Sequence, residues 1–95
     1  MIVAEVSVVP LGEGTGVSRY VREAVRALAG AGLKTDLRAM ATDVEAKDID
    51  ELFAAVKKAH EAVFAAGAKR VLTTVKIDDR RDKEITMESK ISAVR

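Results

Sequence analysis

A chain of 95 residues with 48% hydrophobic and 33% charged side chains has room for one core and the balance of a folded domain. Sixteen basic against fifteen acidic residues leave a formal net charge of +1, without the basic excess expected of a nucleic-acid binder. Cysteine is absent, which excludes disulfides and thiolate metal sites.

Ile2–Pro10 is rich in β-branched residues and alternates as a strand, with Ile2, Ala4, Val6 and Val8 on one face and Val3, Glu5, Ser7 and Val9 on the other. Glu5 lies inside this opening strand and no basic region precedes it, so no signal peptide is expected. No apolar run approaches bilayer length, and a cytoplasmic protein is the expectation. Pro10 and Gly12 end the strand, and G-E-G-T-G at residues 12–16 forms a turn. A helix follows with an apolar stripe of Val17, Tyr20, Val21, Ala24, Val25 and Leu28, capped by Thr15 or Ser18 and stopped by Gly30 and Gly32.

Leu33–Met40 alternates again, placing Lys34, Asp36, Arg38 and Met40 on one face. A short third strand covers Thr42–Glu45. Asp48 caps a second helix that buries Ile49, Leu52, Phe53, Val56, Ala59, Val63 and Phe64 and ends at Gly67. Arg70–Asp78 is the last strand, and Ile85–Val94 fits a short C-terminal helix. The order βαββαβ is that of a ferredoxin-like α+β sandwich in a single domain, residues 1–95, with two helices on one face of a four-stranded antiparallel sheet. The expectation is that the first and last strands are central. The second sheet face is then bare, and it mixes Glu5, Ser7, Asp36, Arg38, Thr74 and Lys76 with Val3, Val9, Met40 and Leu72. Such a face suits contact with another subunit, or a ligand held there, and a domain this small often recovers burial by assembling.

The motifs point away from catalysis. The glycine-rich turn fails the dinucleotide fingerprint, since Val17 stands three residues after Gly14, and no Gly-Lys-Ser/Thr follows. His60, the one histidine, has no acid or thiol at hydrogen-bonding spacing and reads as a helix-edge residue. Asp48, Asp50 and Glu51 lie in the first turn of a helix, where the dipole favours acids. Aromatic residues are 3% of the chain, all in helical stretches, so no base-stacking sheet is expected. No metal site is expected, because in the charged run Asp78–Glu84 the carboxylates are matched by Arg80, Arg81 and Lys83. Internal bridges, or contacts with a neighbouring chain, account for that run more simply.

T-T-V-K-I-D-D-R-R-D-K followed by T-M-E-S-K resembles the C-terminal signature of the thiamine-binding protein family formerly called DUF77 or UPF0045. I-V-A-E-V-S-V-V-P-L-G, V-S-R-Y-V, A-G-L-K and A-H-E-A-V-F-A-A-G-A-K-R extend the likeness over nearly the full length. The resemblance implies a ferredoxin-like domain that assembles as a homotetramer, a dimer of dimers. It also implies a non-enzymatic protein, with thiamine or its hydroxymethylpyrimidine part as the ligand rather than a cofactor. Where the family shows P-M-G-T-x-x-E-G-D, this chain reads A-M-A-T-D-V-E-A-K. It keeps Met40, Thr42 and Glu45 but departs at Ala39, Ala41, Ala46 and Lys47, the last replacing an acid with a base.

An aminopyrimidine needs polar partners at fixed angles and apolar contact on its flat face. Ser7, Ser18, Thr42 and Glu45 are candidates for the first, Tyr20 and Met40 for the second, and Asp78 for neutralising a cationic ring. Glu5, Arg38, Lys76, Arg80, Arg81 and Asp82 are the expected subunit-contact residues. The partners expected are other copies of the chain and a small molecule, not nucleic acid or membrane. The alternative reading is a ligand-free structural or regulatory module that oligomerises through its sheet.

Overall fold

The computed structural model describes all 95 residues, Met1–Arg95. The elements run β1 (Ile2–Pro10), α1 (Ser18–Gly30), β2 (Lys34–Leu37), β3 (Thr42–Ala46), α2 (Ile49–Ala65), β4 (Val71–Asp79) and α3 (Met87–Ser92). The strands form one antiparallel sheet in the order β2-β3-β1-β4, and the architecture is the ferredoxin-like α+β sandwich. The expectation that the last strand is central is corrected here: β1 and β3 are central, and β4 is an edge. Each βαβ crossover carries the chain past one strand position, so β3 and β4 flank β1 on opposite sides.

The alternation of β1 decides the layering. Ile2, Ala4, Val6 and Val8 are buried beneath the two long helices, joined by Val44 and Ala46 of β3. Tyr20, Ala24 and Leu28 of α1 and Leu52, Ala55, Val56, Ala59 and Val63 of α2 close the core from the other side, at the i, i+3 and i+4 spacings of helical stripes. Phe53 and Phe64 depart from the expected pattern. Both are exposed on the outer side of α2, because the i, i+4, i+7 series of Leu52, Val56 and Ala59 already fills the space against the sheet. His60 is a half-buried helix-edge residue, its Nδ1 within a 2.6 Å hydrogen bond of Thr73 Oγ1 and its ring edge-on to Phe64 at 5.3 Å.

The helix boundaries follow local chemistry. Asp48 caps α2 by accepting from the Glu51 N–H at 2.8 Å, and Gly67 ends the helix with a φ of 111° that only glycine adopts readily. The expected side-chain cap on α1 is absent: Val17 occupies the N-cap position, and neither Thr15 nor Ser18 bonds there. The second strand is shorter than the alternation of Leu33–Met40 suggests. It stops at Leu37, and Arg38 N–H donates to Ala41 O at 2.9 Å to close a turn into β3. No non-glycine residue has positive φ, so Ala41 fits this turn without strain. No helix is long and apolar enough to cross a membrane.

The C-terminal segment is held on the open face of the sheet. Thr86 and Ser89 form a reciprocal capping box at the start of α3, and Ile85 and Met87 are buried there, apart from the main core. Leu52 is fully buried at the centre of the helix–sheet core. Leu52→Ala is expected to lower unfolding free energy by about 2–5 kcal/mol, read as a fall in the urea midpoint at constant m-value.

Candidate functional site

The nine residues of β1 pair along their whole length with β4, from Ile2↔Asp79 to Pro10↔Val71. On the other side, β3 reaches only from Ile2↔Ala46 to Val6↔Thr42. Beyond Val6, β1 therefore has one open edge. The Leu11 N–H donates to Arg70 O at 2.8 Å, continuing the β1–β4 ladder, so odd-numbered β1 residues turn their N–H and C=O toward β4. Val8 turns both of its backbone groups the other way, past the end of β3, where no strand meets them.

A groove of about 240 Å³ lies beside this edge, walled by β1, α1 and the β2–β3 turn. Val6 and Val8 form its floor, Val17, Val21 and Val25 one wall, and Leu37 to Thr42 the other. Twelve of its fifteen lining residues are hydrophobic, and Ser7, Arg38 and Thr42 are the polar ones, so most of its area suits a flat apolar surface. Met40 on the turn is 90% exposed and Leu37 61%, a large apolar surface left to solvent at the rim. Arg38 pairs with Asp36 at 2.9 Å. Along α1 the groove continues into a second cleft of about 300 Å³, bordered by Ser18, Arg22 and Arg26 and sharing Val21, Val25 and Leu37.

The residues singled out from sequence are thus spread over several places. Met40 and Thr42 line the groove, and Ser7 stands at its strand edge with its side chain on the open face beside Thr74. Ser18 lies in the adjoining cleft. Tyr20 is in neither. Its ring is buried in the core with the Arg19 guanidinium 4.2 Å from the ring centre, and its hydroxyl donates to Glu13 at 2.9 Å. That bond to Glu13, aided by burial, pushes the tyrosine pKa up.

Glu45 is on the opposite face of the sheet, buried under the C-terminal segment, where its carboxylate accepts from the Met87 N–H at 2.9 Å. Asp78 is also on that face and is paired with Lys90 of α3. Asp78 and Lys90, with Val3, Glu5, Asp43 and Lys76, border a cleft of about 430 Å³, in which Glu5 stands between Asp43 and Lys76 in the register. Arg38, taken from sequence as a subunit-contact residue, is at the rim of the groove instead of beside Glu5 and Lys76.

The charged run is internally paired. Arg80 grips Asp82 with two bonds of 2.7 and 2.9 Å, and Arg81 holds Asp79 at 2.9 Å. The two bonds from Arg80 hold the Asp82 carboxyl below its ordinary range, and Arg80 and Arg81 are raised by the same pairings. A depressed carboxyl keeps its partner above its unfolded pKa and loses it only as pH falls through the lower folded value. Lys47 is remote from the groove: it follows the far end of β3 and its backbone N–H donates to Glu51 at 3.0 Å.

The groove depends on residues that motif reading passed over, Val8 through its backbone and Val17, Val21 and Val25 of α1. Their one signal in the sequence was the mismatch between a nine-residue first strand and a much shorter third.

A family model described as thiamine-binding protein matches residues 4–95. A UPF0045 protein of Methanothermobacter thermautotrophicus is 49% identical over 96 residues, covering 100% of this chain and 97% of its own. The crystal structure of a hypothetical protein of Methanocaldococcus jannaschii has a TM-score of 0.91 at 44% identity, covering 98% of this chain and 94% of that one. That of a candidate thiamine biosynthesis or salvage protein of Thermotoga maritima has a TM-score of 0.82 at 26% identity, covering 99% and 98%.

The buried bond between Glu45 and Met87 ties α3 to the sheet. Glu45→Ala is expected to speed amide exchange across residues 85–92 by about tenfold or more, the loss of one charge-assisted hydrogen bond, with β1 amides unchanged. Unchanged exchange in α3 would show that other contacts hold it.

Proposed function

The chain belongs to the thiamine-binding protein family, and from that premise we propose that it is a non-catalytic cytoplasmic carrier or sensor holding thiamine or a hydroxymethylpyrimidine-like compound in the groove between β1, α1 and the β2–β3 turn. Family membership supports binding of a small molecule, and the Thermotoga maritima relative is described in terms of thiamine biosynthesis or salvage.

The observation that carries the proposal is the backbone of Val8. Its N–H and C=O point side by side into an apolar groove without a strand partner. An aminopyrimidine presents a ring nitrogen that accepts and an adjacent amino group that donates, so it would complete the ladder as a missing strand does. Its flat faces would rest against the valines of α1 and against Leu37 and Met40, with the Thr42 hydroxyl at the inner end. Nothing in this arrangement supplies a nucleophile beside a base, which is why binding without turnover is the reading.

The same proposal includes assembly into a homotetramer. The nine-residue edge of β4, the mixed open face with Glu5 and Lys76, and the charged turn with Arg80, Arg81 and Asp82 are the surfaces offered for it. Edge strands left bare are an aggregation hazard, and pairing with another copy removes it.

Calorimetric titration with thiamine and with hydroxymethylpyrimidine tests the groove. Ala39→Trp, on the exposed turn, is expected to abolish binding by filling the groove while the melting temperature stays within a few degrees. Glu45→Gln, on the opposite face, is expected to bind as the unsubstituted protein does. The reverse pattern, with binding lost in Glu45→Gln and kept in Ala39→Trp, would move the ligand to the open face. For the assembly, Arg80→Ala combined with Arg81→Ala is expected to lower the subunit count by light scattering. A tetramer that survives the change would leave those arginines with only their intrachain pairs.

A further inference from the structure

Resting on the groove reading above, we propose that the ligand is taken as a phosphate ester, its ring in the groove and its phosphate against Arg22 and Arg26 beside Ser18. The groove and the adjoining cleft share Val21, Val25 and Leu37, so a molecule longer than one ring has a continuous path along α1 from one to the other. Ser18, Arg22 and Arg26 are spaced by four residues and form one row on α1, next to the parallel row of Val21 and Val25. The apolar row faces the ring and the polar row lies where the ring's substituent would emerge.

Charge decides what that substituent is. Arg22, Arg26 and Arg38 border the two cavities, and no aspartate or glutamate does. Arg38 is paired with Asp36 at 2.9 Å and Arg26 with Glu23 at 3.2 Å, while Arg22 forms no ion pair. Thiamine itself carries a permanent thiazolium cation, which guanidinium groups repel. Its phosphate ester adds a charge of about −1.5 to −2 at neutral pH and three acceptor oxygens, reversing the sign of the molecule. The planar fork of arginine is the side chain best matched to those oxygens. The same geometry admits the phosphate ester of the pyrimidine alone. The aspartates that would favour an unesterified cation border neither cavity and are tied to Lys90 or to the arginines of the charged turn.

Calorimetric titration of the intact protein with thiamine, thiamine monophosphate and inorganic phosphate tests this. The ester is expected to bind about tenfold or more tightly than thiamine at low ionic strength, the effect of added charge-assisted hydrogen bonds. The preference should shrink as salt is added. In Arg22→Ala combined with Arg26→Ala the two ligands are expected to bind equally, with an unchanged melting temperature because both side chains are exposed. Replacing both arginines with lysine should retain only part of the preference. Equal affinities in the unsubstituted protein, or a preference that survives the double alanine change, would overturn the proposal while leaving the groove reading intact. Inorganic phosphate binding as tightly as the ester would also overturn it, by revealing a free-anion site. If neither thiamine nor its ester binds, it is the groove reading that fails.

Discussion

β1 is nine residues long, its neighbour on one side is equally long, and its neighbour on the other is only five. This inequality organises the molecule. The part of β1 that pairs on both sides, Ile2 to Val6, forms the spine of the sheet and the floor of the core. The part that pairs on one side only, Ser7 to Pro10, leaves Val8 with a donor and an acceptor that no strand satisfies. Unmet backbone groups beside apolar walls are costly, so a segment in this condition is either covered or used. Here α1 and the β2–β3 turn cover it only in part, and the space between them is the groove.

The two faces of the sheet are put to different ends by one alternation. Even-numbered residues of β1 face the helices and are buried, while odd-numbered ones face the side that only α3 crosses. Glu45 shows what that crossing requires. A carboxylate that is nearly fully buried is expensive unless hydrogen-bonded, and the Met87 N–H at the start of α3 provides the bond. The C-terminal segment is therefore secured by a polar group under it as well as by Ile85 and Met87. With Glu45 so occupied, the open face carries a mixture of acids and lysines, whereas the cavities beside α1 are bordered by arginines without an acid.

Much of the fold was legible because its signals are local. Period-two alternation in β1 and β4, the stripe of α1, the Asp48 cap and the glycine after each long helix all act within a few residues, and each holds in the structure. Errors arose where competition between distant segments decides. Phe53 and Phe64 sit at plausible helical spacing, yet the volume against the sheet is already filled by smaller side chains. The βαββαβ order leaves open which strands are central, and it is the span of each crossover, past one strand position, that makes β4 an edge. Among the site candidates, Met40 and Thr42 came together because they are close in sequence on a single turn. Tyr20 went elsewhere because burial in the core and Glu13 of the preceding turn claimed it, and Glu45 because Met87, forty-two residues away, did.

The charged run from Asp78 to Glu84 illustrates the division. By itself the sequence put opposite charges within side-chain reach of each other in Asp–Arg–Arg–Asp, and the intrachain pairs Arg80–Asp82 and Arg81–Asp79 follow from that spacing. It also determined the βαββαβ order, the two layers and the family likeness, all of which rest on neighbours along the chain. The tertiary structure alone decided that Glu45 is sequestered, that Lys47 is remote from the groove, and that the backbone of one valine is left open between apolar walls. Those outcomes depend on where β3 stops alongside β1. Strand register is an agreement between segments some forty residues apart, set by packing and hydrogen bonding that no local pattern records.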